Sequence, residues 1–425
     1  MPLKFHRQIV ASSVSALLAA ALNAGASSLS VIPTLLGDTD NSGRAITPDG
    51  QFVVGISQLG SATRGFLYRV GHDGATNVLS SDNAQSTQAT GVGYRTSGGG
   101  TELIIAGLSS GYITEWMTAN GGVTFGVKRR DTTWAYNNMP GFNALGSKVG
   151  SDLYYIANWT QTNPNGQPLW INQGSGAWVA TLATSSKNLP SDAQGRMNGV
   201  SASGRAVGWR RSTSDNITRN YLMQWTGPGS GTVSAVFYNG LDGTTAGQGF
   251  CVSADGNTVF GHSPRTGYPA GNNYGYKTTF SGNTQLTLDP LPLFGDEAGS
   301  TSIQIPYGCT ADGKIAVGMA YRGTEKAVLW DTTDPNPANW WVMDLTSLAI
   351  SEGILGNFIR LTRAYSVGID PNTGDRVVTG QGIWSPDGGT TLYTRAFVMN
   401  VVPEPGTTLL LGLGGLLFLF RLRQR

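Results

Sequence analysis

Short apolar alternations recur along the chain, and each pair of them is broken by the same polar punctuation. The stretch Cys251–Gly261, CVSADGNTVFG, holds the pattern in its barest form. Alternation at period two argues a half-buried strand. Asp-Gly between two such runs supplies residues that tolerate φ > 0 in a tight hairpin. The pattern predicts a strand, a two-residue turn and a second strand. Copies follow at Ala45–Gly55 (AITPDGQFVVG), Gly199–Gly208 (GVSASGRAVG), Gly308–Gly318 (GCTADGKIAVG) and, with a longer turn, Ser366–Gly380. Degenerate copies at Thr90–Gly107 and Ala144–Asn158 bring the number to seven.

Each copy is followed by a third apolar run, such as YLMQW from Tyr221 or AVLW from Ala327, and usually by a fourth, such as Val233–Phe237. The closing positions Gly55, Gly107, Asn158, Gly208, Gly261, Gly318 and Gly380 step by 52, 51, 50, 53, 57 and 62 residues. A period of about fifty with four strands per unit is the signature of a β-propeller. One such sheet cannot bury both faces, whereas a ring of sheets covers all of them. The seventh unit lacks a fourth strand, and Leu29–Leu36, ahead of the first, reads as the missing one. The expectation is an all-β chain of seven four-stranded blades, with six or eight as neighbouring counts. An N-terminal strand closes the ring and removes an open edge.

Composition agrees. Gly at 60 of 425 residues is about twice ordinary usage, and charged residues at 13% about half of it, which suits short strands and turns and excludes a disordered body. The net charge of +2 comes from the ends, Lys4 and Arg7 at one and Arg421, Arg423 and Arg425 at the other. The middle is weakly acidic, so nothing points to nucleic acid. The two cysteines, Cys251 and Cys309, exclude a disulfide-dense scaffold. They read as two small buried apolar residues, with a single bridge the other option.

The ends are addresses. Residues 1–26 have a basic start, an apolar run from Ile9 to Leu22 and the small-x-small pattern Ala24-Gly25-Ala26, a secretory signal peptide cleaved near Ala26. The body spans 27–402. Residues 403–425 open on Pro403-Glu404-Pro405, continue as the apolar run Thr407–Phe420, a short transmembrane helix, and end in Arg421, Arg423 and Arg425. This segment resembles the PEP-CTERM sorting domain of Gram-negative and related bacteria. The resemblance implies an exosortase as processing partner, cleavage near Pro403–Pro405, transient lodging in the inner membrane, and delivery to the cell surface or an exopolysaccharide-rich biofilm matrix. The repeats are similar to bacterial extracellular HAF repeats, with their S-x-D-G turn and A-F-L-W-like strand. No unit carries the histidine of that name: Arg64-Gly65-Phe66 and Arg395-Ala396-Phe397 stand in its place. That likeness implies an extracellular location and no particular activity.

Reactive chemistry is sparse. After processing only His72 and His262 remain, and there is no H-E-x-x-H or P-loop. Asp49, Asp255 and Asp312 read as turn residues, and Ser385-x-Asp387-x-Gly389-x-Thr391 looks like the Asp-box turn of sialidase propellers. Asp38-Thr39-Asp40-Asn41-Ser42-Gly43 resembles the start of a calcium loop, with Asp38, Asp40 and Ser42 as candidate ligands for Ca²⁺, against a plain turn as the alternative. Most tryptophans fall in recurring strand slots and read as core. Arg129, Arg130, Trp134 and Tyr136 lie on an expected loop between second and third blades. Their cationic and aromatic side chains suit an acidic polysaccharide, against an ordinary solvated loop as the alternative. The sequence thus points to a non-catalytic binding or structural protein of the surface or matrix, with exopolysaccharide or surface proteins as partners. The rivals are a carbohydrate-active hydrolase or lyase using two carboxylates, and a protein-binding scaffold.

Overall fold

A computed structural model describes residues 26–72, 76–77, 86–97, 100–109, 112–118, 126–130, 146–147, 153–158, 168–173, 178–181, 194–211, 215–225, 233–269, 271–294 and 302–402. The signal segment with Ala24, the sorting segment with Pro403, Glu404 and Pro405, its helix and its arginines, and the loop residues Trp134 and Tyr136 lie outside the described residues.

The strands assemble into seven four-stranded antiparallel sheets, all but the last formed from consecutive strands. The first is Asp40–Ile46, Phe52–Leu59, Ala62–Arg69 and Thr76–Asn77; the second Thr87–Ser97, Gly100–Ser109, Tyr112–Thr118 and Gly126–Arg130. The third is Gly146–Ser147, Leu153–Asn158, Pro168–Gln173 and Trp178–Thr181; the fourth Gln194–Val200, Arg205–Arg211, Thr218–Trp225 and Val233–Phe237. The fifth is Gln248–Val252, Thr258–Ser263, Tyr274–Ser281 and Thr284–Pro290; the sixth Ile303–Cys309, Ile315–Arg322, Thr324–Asp331 and Trp341–Asp344. The seventh is Phe358–Ile369, Arg376–Trp384 and Tyr393–Val401, completed by Ser28–Val31 from the other end of the body.

That last pairing runs antiparallel from Ser28 opposite Asn400 to Val31 opposite Phe397. The strand stops earlier than the apolar run Leu29–Leu36, because Pro33 has no amide to continue the ladder. Ile32 still donates its amide to Ala396 at 2.9 Å. Ile32 and Leu35 then turn inward between the seventh and first sheets, beside Val377 and Val398 on one side and Val53 and Phe66 on the other.

The core is divided into wedges of this kind. Phe52, Val54 and Leu67 of the first sheet meet Leu103, Ile105 and Trp116 of the second. Val207 and Leu222 of the fourth meet Val259 and Tyr276 of the fifth; Phe260 of the fifth meets Val328 and Trp330 of the sixth. Ile315, Val317 and Leu329 of the sixth meet Phe358, Leu361 and Phe397 of the seventh. Second strands therefore read as near-continuous apolar runs, as in Phe52-Val53-Val54 and Val259-Phe260, with successive side chains packed into the wedges on either face. Side chains of six first strands, Ile46, Val92, Val200, Val252, Cys309 and Val367, share one small cavity of about 130 Å³. The architecture is propeller-like, with first strands innermost.

Two local expectations need correction. The hairpins are not closed by two-residue turns. In Thr47-Pro48-Asp49-Gly50 the Gly50 amide bonds the Thr47 carbonyl at 2.8 Å, and only the glycine has positive φ, +73°. Asp49 caps this longer turn by accepting from Thr47 Oγ1 at 2.6 Å and from the Gln51 amide at 3.1 Å. Asp255 and Asp312 repeat the arrangement, at 2.5 Å from Ser253 Oγ and 2.6 Å from Thr310 Oγ1. Secondly, the fourth apolar run of the sixth unit, Trp341–Leu345, is not all strand. Asp344 accepts from the amides of Thr346 and Ser347 and starts a short α-helix, Leu345–Ser351, as an N-capping carboxylate does.

Cys251 and Cys309 stand on the first strands of adjacent sheets as free thiols. Burial pushes the Cys251 thiol well above its ordinary value, so it is a poor nucleophile.

Candidate functional site

One feature of the first strands went unread in the sequence. In each of the first, second, fourth, fifth, sixth and seventh sheets, the register with the second strand shifts by one residue at the same place. The residues left over are Arg44, Thr90, Asn198, Phe250, Tyr307 and Tyr365. Such a β-bulge bends the strand and re-aims the extra side chain.

The recurring glycine of the second strand is the counterpart of the bulge. Gly55, Gly107, Gly208, Gly261, Gly318 and Gly380 each pair with the residue just before it. There the bulged strand presses a carbonyl against the glycine. A Cβ would lie 1.8 Å from the Gln88 oxygen at Gly107, 1.9 Å from Ile305 O at Gly318, and 2.0 Å from Arg363 O at Gly380. The glycines that mark the period are therefore required by space. An isolated glycine inside a strand pattern is the sequence signal for such a bulge, and it could have located these six residues.

Four of them form a continuous arc across three sheet boundaries. The Phe250 ring meets Tyr307 edge-on at 6.0 Å between centroids, Tyr307 meets Tyr365 at 5.2 Å, and the Arg44 guanidinium lies over the Tyr365 ring at 4.6 Å. All four are part-buried. His262, buried beneath, stacks on Phe250 at 5.1 Å, and burial lowers its pKa to about 4. It is a neutral support for the platform, as its strand position implies. Burial pushes the Tyr307 hydroxyl up to about 12. Tyr365 donates its hydroxyl to Gln381 Oε1 at 3.3 Å.

Two arginines flank the arc, and they differ. Arg363 gives Nε to Glu325 Oε2 at 2.9 Å and a second bond to Oε1, and this pairing holds its charge firmly. Arg44 has no carboxylate partner among the described residues, and its Nε is buried without a hydrogen bond. Thr90 Oγ1, the bulge side chain of the next sheet, is likewise buried without a partner. Buried polar groups are normally satisfied, and exceptions call for an explanation.

The residues singled out in the sequence fall elsewhere. Arg129 and Arg130 are not on a loop: they end the fourth strand of the second sheet, opposite Glu115 and Thr114. The strand pairing extends further than the apolar pattern. Asp38 is buried and receives two bonds from Arg64, at 3.1 and 2.5 Å. Asp40 accepts from the Thr394 amide at 2.7 Å, and Asp40–Ile46 is a strand, with Ser42 buried in it. Both carboxylates already have protein donors, and Ser42 is paired into the ladder opposite Ile56, so the three do not form the open loop that a calcium site needs. Among the described residues no three His, Cys, Asp or Glu side chains gather as a metal set.

The Asp-box-like turn closes on itself. Gly389 N donates to Ser385 Oγ at 2.7 Å, Thr391 N and Oγ1 donate to Asp387 at 2.8 Å each, and these bonds lower the Asp387 pKa to about 2. Trp116 and Trp330 are fully buried core. Trp384, unplaced by the repeat, carries the Arg395 guanidinium over its ring at 5.1 Å.

A larger cavity of about 440 Å³ opens beside the outermost strand of the fourth sheet, lined by Arg210, Arg219, Phe237, Tyr238, Asn239 and Thr245. Its cations are engaged. Arg219 pairs with Asp215, and Arg210 lies over the Phe237 ring at 5.5 Å.

Residues 401–425 match the family model described as the PEP-CTERM protein-sorting motif. No curated protein matches the sequence. Among solved structures, YCF48 bound to D1 peptide is similar at 12% identity and a TM-score of 0.46, over 90% of this chain and 96% of that one. A puromycin-hydrolyzing peptidase of Mycobacterium tuberculosis is similar at 11% identity and a TM-score of 0.49, over 87% of this chain and 53% of that one. At these values neither likeness carries an activity or a ligand to this protein. The sorting motif does carry an address: the chain is exported, is targeted by an exosortase, and passes through a membrane-anchored stage before surface release.

Proposed function

We propose that this protein is a seven-bladed propeller of the cell surface or extracellular matrix that binds exopolysaccharide without cleaving it. The arc Phe250–Tyr307–Tyr365–Arg44 is the observation that carries the reading. Part-exposed aromatic rings offer flat apolar faces with polar tips, which suit the apolar face of a sugar ring. They lie side by side because a bulge in each first strand aims one side chain from each sheet the same way. The exosortase route brings such a surface to where matrix polysaccharide is made and held.

The arc does not resemble a hydrolytic site. Glycosidases place two carboxyl groups across the scissile bond, and Glu325, the carboxylate beside the arc, spends both oxygens on Arg363. The repeats join the HAF type in this reading, and release follows cleavage near Pro403–Pro405. The test is co-sedimentation of the host-processed protein with host exopolysaccharide, followed by an assay for reducing ends. Binding without new reducing ends supports the reading. Absence of binding removes it, and steady reducing-end release replaces it with the hydrolase.

A further inference from the structure

We infer that the arc selects acidic sugars, and that Arg44 is the residue that receives the sugar carboxylate. The inference rests on the polysaccharide-binding reading and names the chemistry of the ligand. Of the two arginines at the arc, Arg363 is neutralised by Glu325, whereas Arg44 faces no carboxylate among the described residues. Its guanidinium lies over the Tyr365 ring at 4.6 Å, with Nε buried and unbonded. Leaving a part-buried cation unpaired is costly. An arginine in this state is matched by a planar anion, since its fork of donors fits a carboxylate through two parallel bonds.

The neighbours define what the anion is attached to. Tyr307 and Phe250 continue the ring surface away from Arg44 on one side. Thr90 Oγ1, also without a partner, stands at the matching bulge position of the next sheet on the other. A pyranose ring over the tyrosines would carry its carboxylate to Arg44. That describes a uronic acid residue within a polysaccharide. A free small carboxylate would use Arg44 alone and leave the aromatic surface uncovered.

The experiment measures binding of oligogalacturonate, of the neutral galactose oligomer of equal length, and of acetate to the full-length processed protein by titration calorimetry. The expected result is at least tenfold preference for the acidic oligomer and no measurable binding of acetate. Arg44→Gln abolishes the preference, Arg44→Lys keeps part of it, and Tyr307→Leu weakens both oligomers together. The melting temperature of each variant, compared with wild type, separates lost binding from lost folding. Equal affinity for the two oligomers in the wild type, or a preference that survives Arg44→Gln in a folded variant, overturns the inference while leaving polysaccharide binding standing. Failure to bind either oligomer, with binding to host exopolysaccharide intact, also overturns it. Failure on both oligomers and on host exopolysaccharide removes the broader reading as well.

Discussion

The first strands of the six sheets that carry the bulge have two distinct regions, and the contrast between them explains much of the molecule. Toward the hairpin, the side chains repeat from sheet to sheet: Thr47 and Asp49, Ser253 and Asp255, Thr310 and Asp312 make the same bonds. Their products are structural. Ala254 of one turn donates its amide to Ala311 of the next at 2.8 Å, Ile369 donates to Pro48 at 2.8 Å, and Tyr94 donates its hydroxyl to Asp49 at 2.8 Å. Toward the bulge, the backbone repeats equally well but the side chains do not: Arg44, Thr90, Asn198, Phe250, Tyr307 and Tyr365 share a place and little chemistry. One region uses repetition to join the sheets. The other uses the same repetition to hold a varied set of groups at a fixed spacing, which is what a binding surface needs.

The comparison can be broken most forcefully at the glycines that make room for the bulges. Gly318→Ala puts a Cβ 1.9 Å from the Ile305 carbonyl and 2.9 Å from the Pro306 Cα. Neither atom belongs to a flexible side chain, so the expected loss is about 3 kcal/mol or more in denaturant unfolding. Gly282→Ala, at φ +55° with nothing within 4 Å, should cost only about 1 kcal/mol.

The support under the arc gives a pH test of similar size. His262 titrates near 4 in the folded protein because burial disfavours its charge, and near 6.5 when unfolded. Between those values the unfolded chain binds the extra proton, so stability is full above pH 6.5, falls as the pH drops, and has lost this contribution near pH 4. The amount is of order 3 kcal/mol. His262→Phe should flatten that part of the pH–stability curve; an unchanged slope would mean that other groups set it.

Smaller effects separate the two regions more finely. Asp255→Ala removes the bonds to Ser253 and to the Asn257 amide and should cost about 1 kcal/mol with polysaccharide binding unchanged. Tyr365→Leu removes the ring under Arg44 and the bond to Gln381 at a part-buried position and should cost about 1–2 kcal/mol, yet weaken binding about tenfold, or 1.4 kcal/mol. A turn variant that abolished binding, or an arc variant that left it intact, would erase the distinction.

What could be read in the chain alone was whatever depends on near neighbours. Ser253, Asp255 and Gly256 make their turn within a few residues, so the repeat, its period of about fifty, the strand order and the closing strand before Asp40 all followed from local pattern. Even the bulges left a trace, in the glycines opposite them. Pro403-Glu404-Pro405 and the arginines after it were legible for the same reason, since a processing enzyme reads a short continuous segment.

Tertiary structure decided which side chains meet. Arg130 had the right chemistry for a site, but ladder pairing drew it into a strand. Asp38 and Asp40 looked like metal ligands until Arg64 and the Thr394 amide took their oxygens. Arg44 and Tyr365 come from opposite ends of the body and touch only because the seventh sheet packs on the first. Periodicity and turn chemistry determine sheets from the sequence outward, because their interactions close within a few residues. The state of Arg44, a guanidinium on an aromatic ring with no carboxylate partner among the described residues, is set by the packing of the seventh sheet on the first.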